Sequence, residues 1–306
     1  MAVRPLLIFT DPGIDDFIAL SMLLRDPAFE VCGIVSLSGN VGLDVTVNNA
    51  LLCVELNGRA DVPVLAGSAK PLCRPARTAA NIHGKSGLGK HVEEYSTLAV
   101  CAENSEEFTT RMVKKYAGAL ELVSLGPLTD VALALQRYPE LVPLVRDVLI
   151  MGGGVRRGNA TKYAEFNIVA DPEAAAFVFS CGVHVTMVGL DATHECVLPR
   201  SSIPQPGATR LGRLVPTMLH DYADVYKTVH NLEGMVIHDA ICVLMLSHPD
   251  WFHCEEHRVS ICLDEGEHLG QTVVAPDGAT NCTVAMDADA EKVNGYLAEF
   301  TRELAK

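Results

Sequence analysis

No apolar run in the 306-residue chain is long enough to span a bilayer, so a transmembrane helix is excluded. The mildly positive mean hydropathy then belongs to a buried sheet. A secretory leader is not expected either. Met1-Ala2-Val3-Arg4-Pro5 runs into a short apolar stretch that stops at Asp11, without a small-residue cleavage site. The ten cysteines form no C-x-x-C pair and no Cys/His zinc spacing. Cys32, Cys53 and Cys242 sit inside apolar runs, and a chain this long has little need of a disulfide framework. Buried, reduced thiols in a cytoplasmic protein are the expectation. No linker, charge block, internal repeat or low-complexity segment divides the chain, which reads as a single domain over residues 1–306. Positive charge is also short: 24 Lys+Arg against 38 Asp+Glu leave a formal charge of −14. That balance argues against nucleic acid, whose phosphates need basic patches, and favours a bound cation.

What is present is an alternation. Residues 6–10, 31–37, 62–65, 120–125, 145–151 and 183–188 read as strands. Stretches 15–24, 45–56, 128–135 and 172–179 read as helices. Near-continuous apolar strands alternating with helices predict an α/β fold with a mostly parallel, Rossmann-like central sheet covered on both faces. Polar residues and glycines follow the strands: Asp11, Asn40, Gly126-Pro127, Gly152-Gly153-Gly154 and Asp191. Ligands of open α/β sheets bind beyond the carboxyl ends of the strands, so these residues mark one edge as a site.

The densest of these markers is Asp11-Pro12-Gly13-Ile14-Asp15-Asp16. Pro12 and Gly13 make a tight turn that folds Asp11 towards the next helix. Three carboxylates this close repel one another unless a cation neutralises them, and an all-oxygen cage suits calcium better than magnesium. A lone Asp here would simply cap the helix. Three at the end of a buried strand ask for more. The spacing fits neither an EF-hand, which needs alternate ligands and a closing Glu, nor an Asp-x-Asp phosphatase, since Gly13 stands where the second Asp belongs.

This cluster resembles the amino-terminal signature of the inosine–uridine-preferring nucleoside hydrolases. The likeness continues through Gly39-Asn40-Val41, Asn81-Ile82-His83-Gly84, Gly126-Pro127-Leu128-Thr129 and Met151-Gly152-Gly153. It goes on through Gly158-Asn159-Ala160 to Ala164-Glu165-Phe166-Asn167, Asp171-Pro172-Glu173-Ala174 and His238-Asp239. The resemblance implies hydrolysis of purine and pyrimidine ribonucleosides to base and ribose by a calcium-bound water, with one calcium per subunit. It implies Asp11, Asp16, Asp239 and the carbonyl of Leu125 as metal ligands, and Asp11 as the base that takes the water's proton. Asp15, Asn40 and Asn167 match positions that bind ribose hydroxyls, and Asn159 and Glu165 match those that hold the 5′-hydroxyl. Met151 and Phe166 belong to the same substrate-binding blocks. His238 matches a group that protonates or hydrogen-bonds the leaving base, while His83 lies in a Gly-rich, mobile loop over it. A homodimer or homotetramer is implied as well.

Several residues have plainer readings. Asn40 and Asn159 adjoin glycines and could be turn residues. Glu165 and Asn167, two apart, would share a side in an extended segment, as on any solvated strand. Tyr222, Tyr226 and His230 recur every four residues on one helix face, which suits a base pocket or a packing edge. Two positions depart from the family: Phe9, where an Asp usually supports the metal site, and Lys85, where Glu is frequent. The first bears on metal affinity, the second on base preference. The alternatives are a pyrimidine-specific hydrolase, a phosphorylase disfavoured by the lack of a basic residue beside the carboxylates, and a non-catalytic, calcium-dependent nucleoside-binding protein.

Overall fold

The computed structural model describes residues 3–275 and 277–306; Met1 and Ala2 of the amino-terminal segment, and Pro276, lie outside them. In the first half the chain runs β1 (Arg4–Thr10), α1 (Ile14–Arg25), β2 (Phe29–Ser36), α2 (Leu43–Leu56), β3 (Val64–Ala66), α3 (Ala80–His83), α4 (Ser105–Lys115), β4 (Glu121–Ser124), α5 (Thr129–Arg137) and β5 (Asp147–Met151). It continues through α6 (Phe166–Ala170), α7 (Pro172–Ser180), β6 (Val185–Val188), α8 (Leu190–Thr193), β7 (Leu198–Pro199), α9 (Arg210–His230), β8 (Gly234–Met235) and α10 (His238–Ser247). Strands β9 (Phe252–Ile261), β10 (Thr272–Ala275) and β11 (Cys282–Ala288) precede the closing helix α11 (Ala290–Leu304).

Among the described residues, nine strands form one sheet in the order β10-β9-β11-β6-β5-β4-β1-β2-β3. Pairing is parallel from β3 to β11 and antiparallel where β9 meets β11 and β10. The expected mostly parallel sheet is therefore present. All six strands and four helices anticipated from the sequence form, with ends displaced by up to a few residues. Strand β9 carried no apolar signal because residues 253–258, His-Cys-Glu-Glu-His-Arg, face largely outward.

Strand β1 shows why the sheet is covered on both faces. Leu6 and Ile8 enter one core with Phe17 and Ile18 of α1 and Ile241 and Leu244 of α10. Leu7 and Phe9 point the other way, into a core with Val35, Leu122, Val131, Ile150 and Val178. Alternation sends successive side chains to opposite faces, and both faces are apolar. All ten cysteines are free thiols; Cys53 and Cys242 are buried as expected, whereas Cys32 is half-buried near the amino end of β2.

Chain order also places the site. From β1 the chain moves outward through β2 and β3, then returns to β4 on the other flank of β1. The connections leaving β1 and β4 consequently diverge and open a crevice at the carboxyl edge, where such sheets bind ligands. Asp11 follows β1 and Leu125 follows β4.

Phe9 is fully buried in the second core, so that position is filled by packing. Phe9→Ala should cost about 3 to 5 kcal/mol through lost burial and the cavity left behind. The measurement is a fall in urea midpoint at unchanged m-value. A loss below about 1 kcal/mol would refute this account of the residue.

Candidate active site

The turn after β1 and the first turn of α1 build the floor of the crevice. Asp16 accepts the Gly13 N–H at 2.9 Å on Oδ2, the reach-back half of a capping box, so it fastens the helix start itself. The same carboxylate accepts Thr10 Oγ1 at 2.5 Å and Asn40 Nδ2 at 3.1 Å. Asp11 accepts the Asn40 N–H at 2.6 Å on Oδ2. It is wedged so tightly between Gly39 and Gly126 that a Cβ at either glycine would overlap its carboxylate. This close approach explains both glycines. Asn40 also donates to the Asp11 carbonyl at 3.1 Å, so it links the turn to the carboxylates and does more than turn the chain. Asp239 arrives on the first turn of α10.

Asp11, Asp15, Asp16 and Asp239 are all buried, and none pairs with a lysine or arginine among the described residues. Burial pushes the pKa of each upward, that of Asp15 to about 6, and mutual repulsion adds to the rise for Asp11, Asp16 and Asp239. Oxygens of Asp15, Asp16 and Asp239 come within 4.8 Å of one another. Three buried oxygens, Oδ1 of Asp11, Asp15 and Asp239, have no hydrogen-bond partner among the described residues. Hard, anionic, unpartnered oxygens converging in this way fit a divalent cation. The geometry adds Asp15, read from the sequence as a sugar ligand, to the carboxylates that could hold it.

Above this floor lies a cavity of about 510 Å³. Asp15, Asn40 and Asp239 line its base with Leu125 and Met151. Asn167 donates Nδ2 to the carbonyls of Leu125 at 2.8 Å and Met151 at 3.0 Å, clamping the ends of two neighbouring strands. Glu165, Asn167, Phe166 and Asn159 form one wall. The extended segment expected around Glu165 and Asn167 is a helix instead. Glu165 is its N-cap and accepts the N–H groups of Asn167, Ile168 and Gly153, which satisfies donors a strand would not expose. Burial raises its pKa to about 7 despite those bonds. Asn159 accepts the Phe166 N–H at 2.9 Å.

Rings form the opposite end. Tyr222 and Tyr226 meet edge to face at 4.9 Å, and His83 lies 5.5 Å from Tyr222 between ring centroids. His83 Nδ1 accepts the Ile14 N–H at 3.2 Å, and burial lowers its pKa to about 4. It is therefore a neutral imidazole whose proton sits on Nε2. Its loop is tied down: Asn49 Nδ2 donates to Pro12 O at 2.9 Å and Ser86 O at 2.8 Å. His238 is buried and held at both nitrogens, Nδ1 at 2.8 Å from Thr193 Oγ1 and Nε2 at 3.0 Å from the Tyr226 hydroxyl. Burial, then the nearby His194, His230 and His83, lowers its pKa well below the usual range.

The structure leaves some marked residues outside the cavity and brings in others. Asp191 faces away and accepts the N–H groups of Val155 and Arg156. Lys85 is exposed and does not line the cavity, so it loses its proposed bearing on base preference. Asp11 and Asp16 do not themselves line it. Arg77, Thr78, His194 and Val229 line it without any local signal, because the loop after β3 and the ends of α8 and α9 reach it by folding alone. Arg77 supplies a basic group, but on an exposed stretch at the rim.

Residues 6–295 match the inosine-uridine preferring nucleoside hydrolase family. A pyrimidine-specific ribonucleoside hydrolase of Shewanella woodyi is 36% identical over 97% of both chains. A non-specific ribonucleoside hydrolase of Klebsiella pneumoniae is 35% identical over 96% of this chain and 97% of its own. Among solved structures, a purine-preferring ribonucleoside hydrolase from Gardnerella vaginalis superimposes with a TM-score of 0.92 at 29% identity, covering 99% of each chain. A plant nucleoside hydrolase does so at 0.91 and 27% identity, covering 98% of this chain and 99% of that one.

Glu165 generates a pH prediction. Its folded pKa lies above its unfolded one, so between about pH 4.5 and 7 the folded state binds more protons and stability falls as pH rises. Wild type should lose about 3 kcal/mol more than Glu165→Gln across that window, read from urea midpoints. Parallel curves would refute it.

Proposed function

The chain belongs to the inosine-uridine preferring nucleoside hydrolase family, and we propose that it hydrolyses both purine and pyrimidine ribonucleosides to free base and ribose. The observation that carries the mechanistic reading is the polarity of one cavity: Asp15 and Asp239, each with one buried oxygen unpartnered among the described residues, at one end, neutral imidazoles and phenols at the other. Calcium is the fitting cation: Asp15, Asp16 and Asp239 offer oxygens close enough together to hold it, and Asp11 and the Leu125 carbonyl are carried over from the family as further ligands. When bound, it would lower the pKa of a water and hold it in place.

The residues divide the rest of the work. Asp11, kept rigid by Asn40 and two glycines, is the base that accepts a proton from the attacking water. Asp15, Asn40 and Asn167 hold the ribose hydroxyls; Asn159 and Glu165 hold the 5′-hydroxyl. The glycosidic carbon–nitrogen bond breaks with its electron pair leaving on the base, and the ribosyl group gains positive charge. Fixed carboxylates beneath the sugar stabilise that charge without reorganising. His238 and Tyr226, already hydrogen-bonded to each other, face the base and stabilise its departure. A cavity of about 510 Å³ leaves room for a bicyclic base as well as a pyrimidine, which supports broad tolerance. Pyrimidine specificity is the second reading, favoured by the relative from Shewanella woodyi.

One sheet spanning β1 to β11 favours a single domain over residues 1–306. Ten free thiols favour a cytoplasmic location, and no helix among the described residues is long and apolar enough to cross a membrane. A homodimer or homotetramer is carried over from the family.

The test is release of free ribose from uridine and inosine without phosphate, lost with a calcium chelator and restored by calcium. Ribose release that needs phosphate would indicate a phosphorylase, and tight nucleoside binding without ribose a binding protein. Asp11→Ala should lower kcat by about 10³-fold with the fold retained, and a rate near wild type would remove Asp11 as base. His238→Ala should slow nucleosides by about 10²-fold and an aryl riboside with an activated leaving group far less; equal losses would remove it from base assistance.

A further inference from the structure

One buried hydroxyl beside this site has no task in that mechanism. Thr193 ends α8, just beyond β6, and is fully buried. Its Oγ1 sits 2.8 Å from His238 Nδ1, the one side-chain hydrogen bond it makes among the described residues. On the other side of the imidazole, Nε2 is 3.0 Å from the Tyr226 hydroxyl, and that hydroxyl donates to the Val236 carbonyl at 3.2 Å. A phenol has a single proton. With that proton directed at Val236, Tyr226 can only accept from His238. The imidazole proton is then on Nε2, and Nδ1 must accept; among the described residues the Thr193 hydroxyl is the donor placed to supply it.

We propose that Thr193 is a positioning residue that fixes His238 as its Nε2–H tautomer. The three groups form a one-way donor chain, from Thr193 to His238 to Tyr226. Its last proton, on Tyr226, points to Val236 and turns to a nitrogen or oxygen of the leaving base when a nucleoside binds. Each link polarises the next, so the terminal phenol is a better donor than it would be alone. The opposite tautomer would reverse the chain: Nε2 would accept the phenol's proton and leave none for the base. The inference rests on the reading that His238 and Tyr226 serve the base, and it adds the group that sets their direction.

Two measurements test it. Nitrogen-15 spectra of histidine-labelled wild type, with His238 assigned by comparison with His238→Ala, should show a protonated Nε2 and an unprotonated Nδ1. A protonated Nδ1 would overturn the proposal without any variant at Thr193. Thr193→Val, which keeps the shape and removes the hydroxyl, should lower kcat on nucleosides about ten-fold at nearly constant KM, the scale of one lost hydrogen bond. The activated aryl riboside should be nearly unaffected, and Thr193→Ser should restore the nucleoside rate. Full nucleoside turnover by Thr193→Val would overturn the role. If His238→Ala shifts the nucleoside-to-aryl rate ratio but Thr193→Val does not, Thr193 alone is excluded. If neither shifts it, the base-assistance reading falls and this inference with it.

Discussion

Four carboxylates, those of Asp11, Asp15, Asp16 and Asp239, are held out of water with no lysine or arginine against them among the described residues. Much of the surrounding architecture makes that arrangement possible. Backbone N–H groups of Gly13 and Asn40, the Thr10 hydroxyl and the Asn40 amide satisfy some of their oxygens. Glycines at 39 and 126 make room for Asp11 where any side chain would collide. The oxygens still without partners among the described residues suit a small, doubly charged, oxygen-loving ion.

The same crevice is built with opposite chemistry at its two ends. At one end, positive charge relieves the repulsion among fixed negative charges, and in the proposed reaction a cation or a ribosyl group on its way to an oxocarbenium ion would supply it. At the base end, His83 and His238 are kept neutral by burial, so they do not neutralise the carboxylates and can act as directional hydrogen-bonding groups. Tertiary contacts set the direction of each. The Ile14 N–H orients His83, and Thr193 and Tyr226 orient His238. A cavity polarised along its length would, in the proposed function, distinguish the two halves of a nucleoside before any specific contact to the base is made.

How much of this was legible in the chain depended on range. The strands of the parallel sheet and the turn of Asp11 to Asp16 are local, so apolar runs and a Pro-Gly turn disclosed them. Asp16 also shows why local readings overlap. Its helix-capping and site-forming roles use the same carboxylate, and spacing alone could not separate them. Glu165 misled because a two-residue spacing suits a strand face and an N-cap with its first turn equally well. Only the converging N–H groups of Gly153, Asn167 and Ile168 distinguish the two.

The sequence by itself determined the α/β architecture, the edge of the sheet that carries the site and, through its motifs, the family to which the chain belongs. Those follow from periodicities and short motifs, which are properties of neighbours along the chain. Tertiary structure alone decided that Asp15 joins Asp16 and Asp239 at one point, and that Phe9 fills a core. It also decided that Arg77, His194 and Val229 border the cavity and that Thr193 reaches His238 across 45 residues. These depend on where β4 returns beside β1 and on how α8, α9 and α10 pack over that crevice. No local spacing encodes them, because the contacts form only once the sheet has closed around its own crossover.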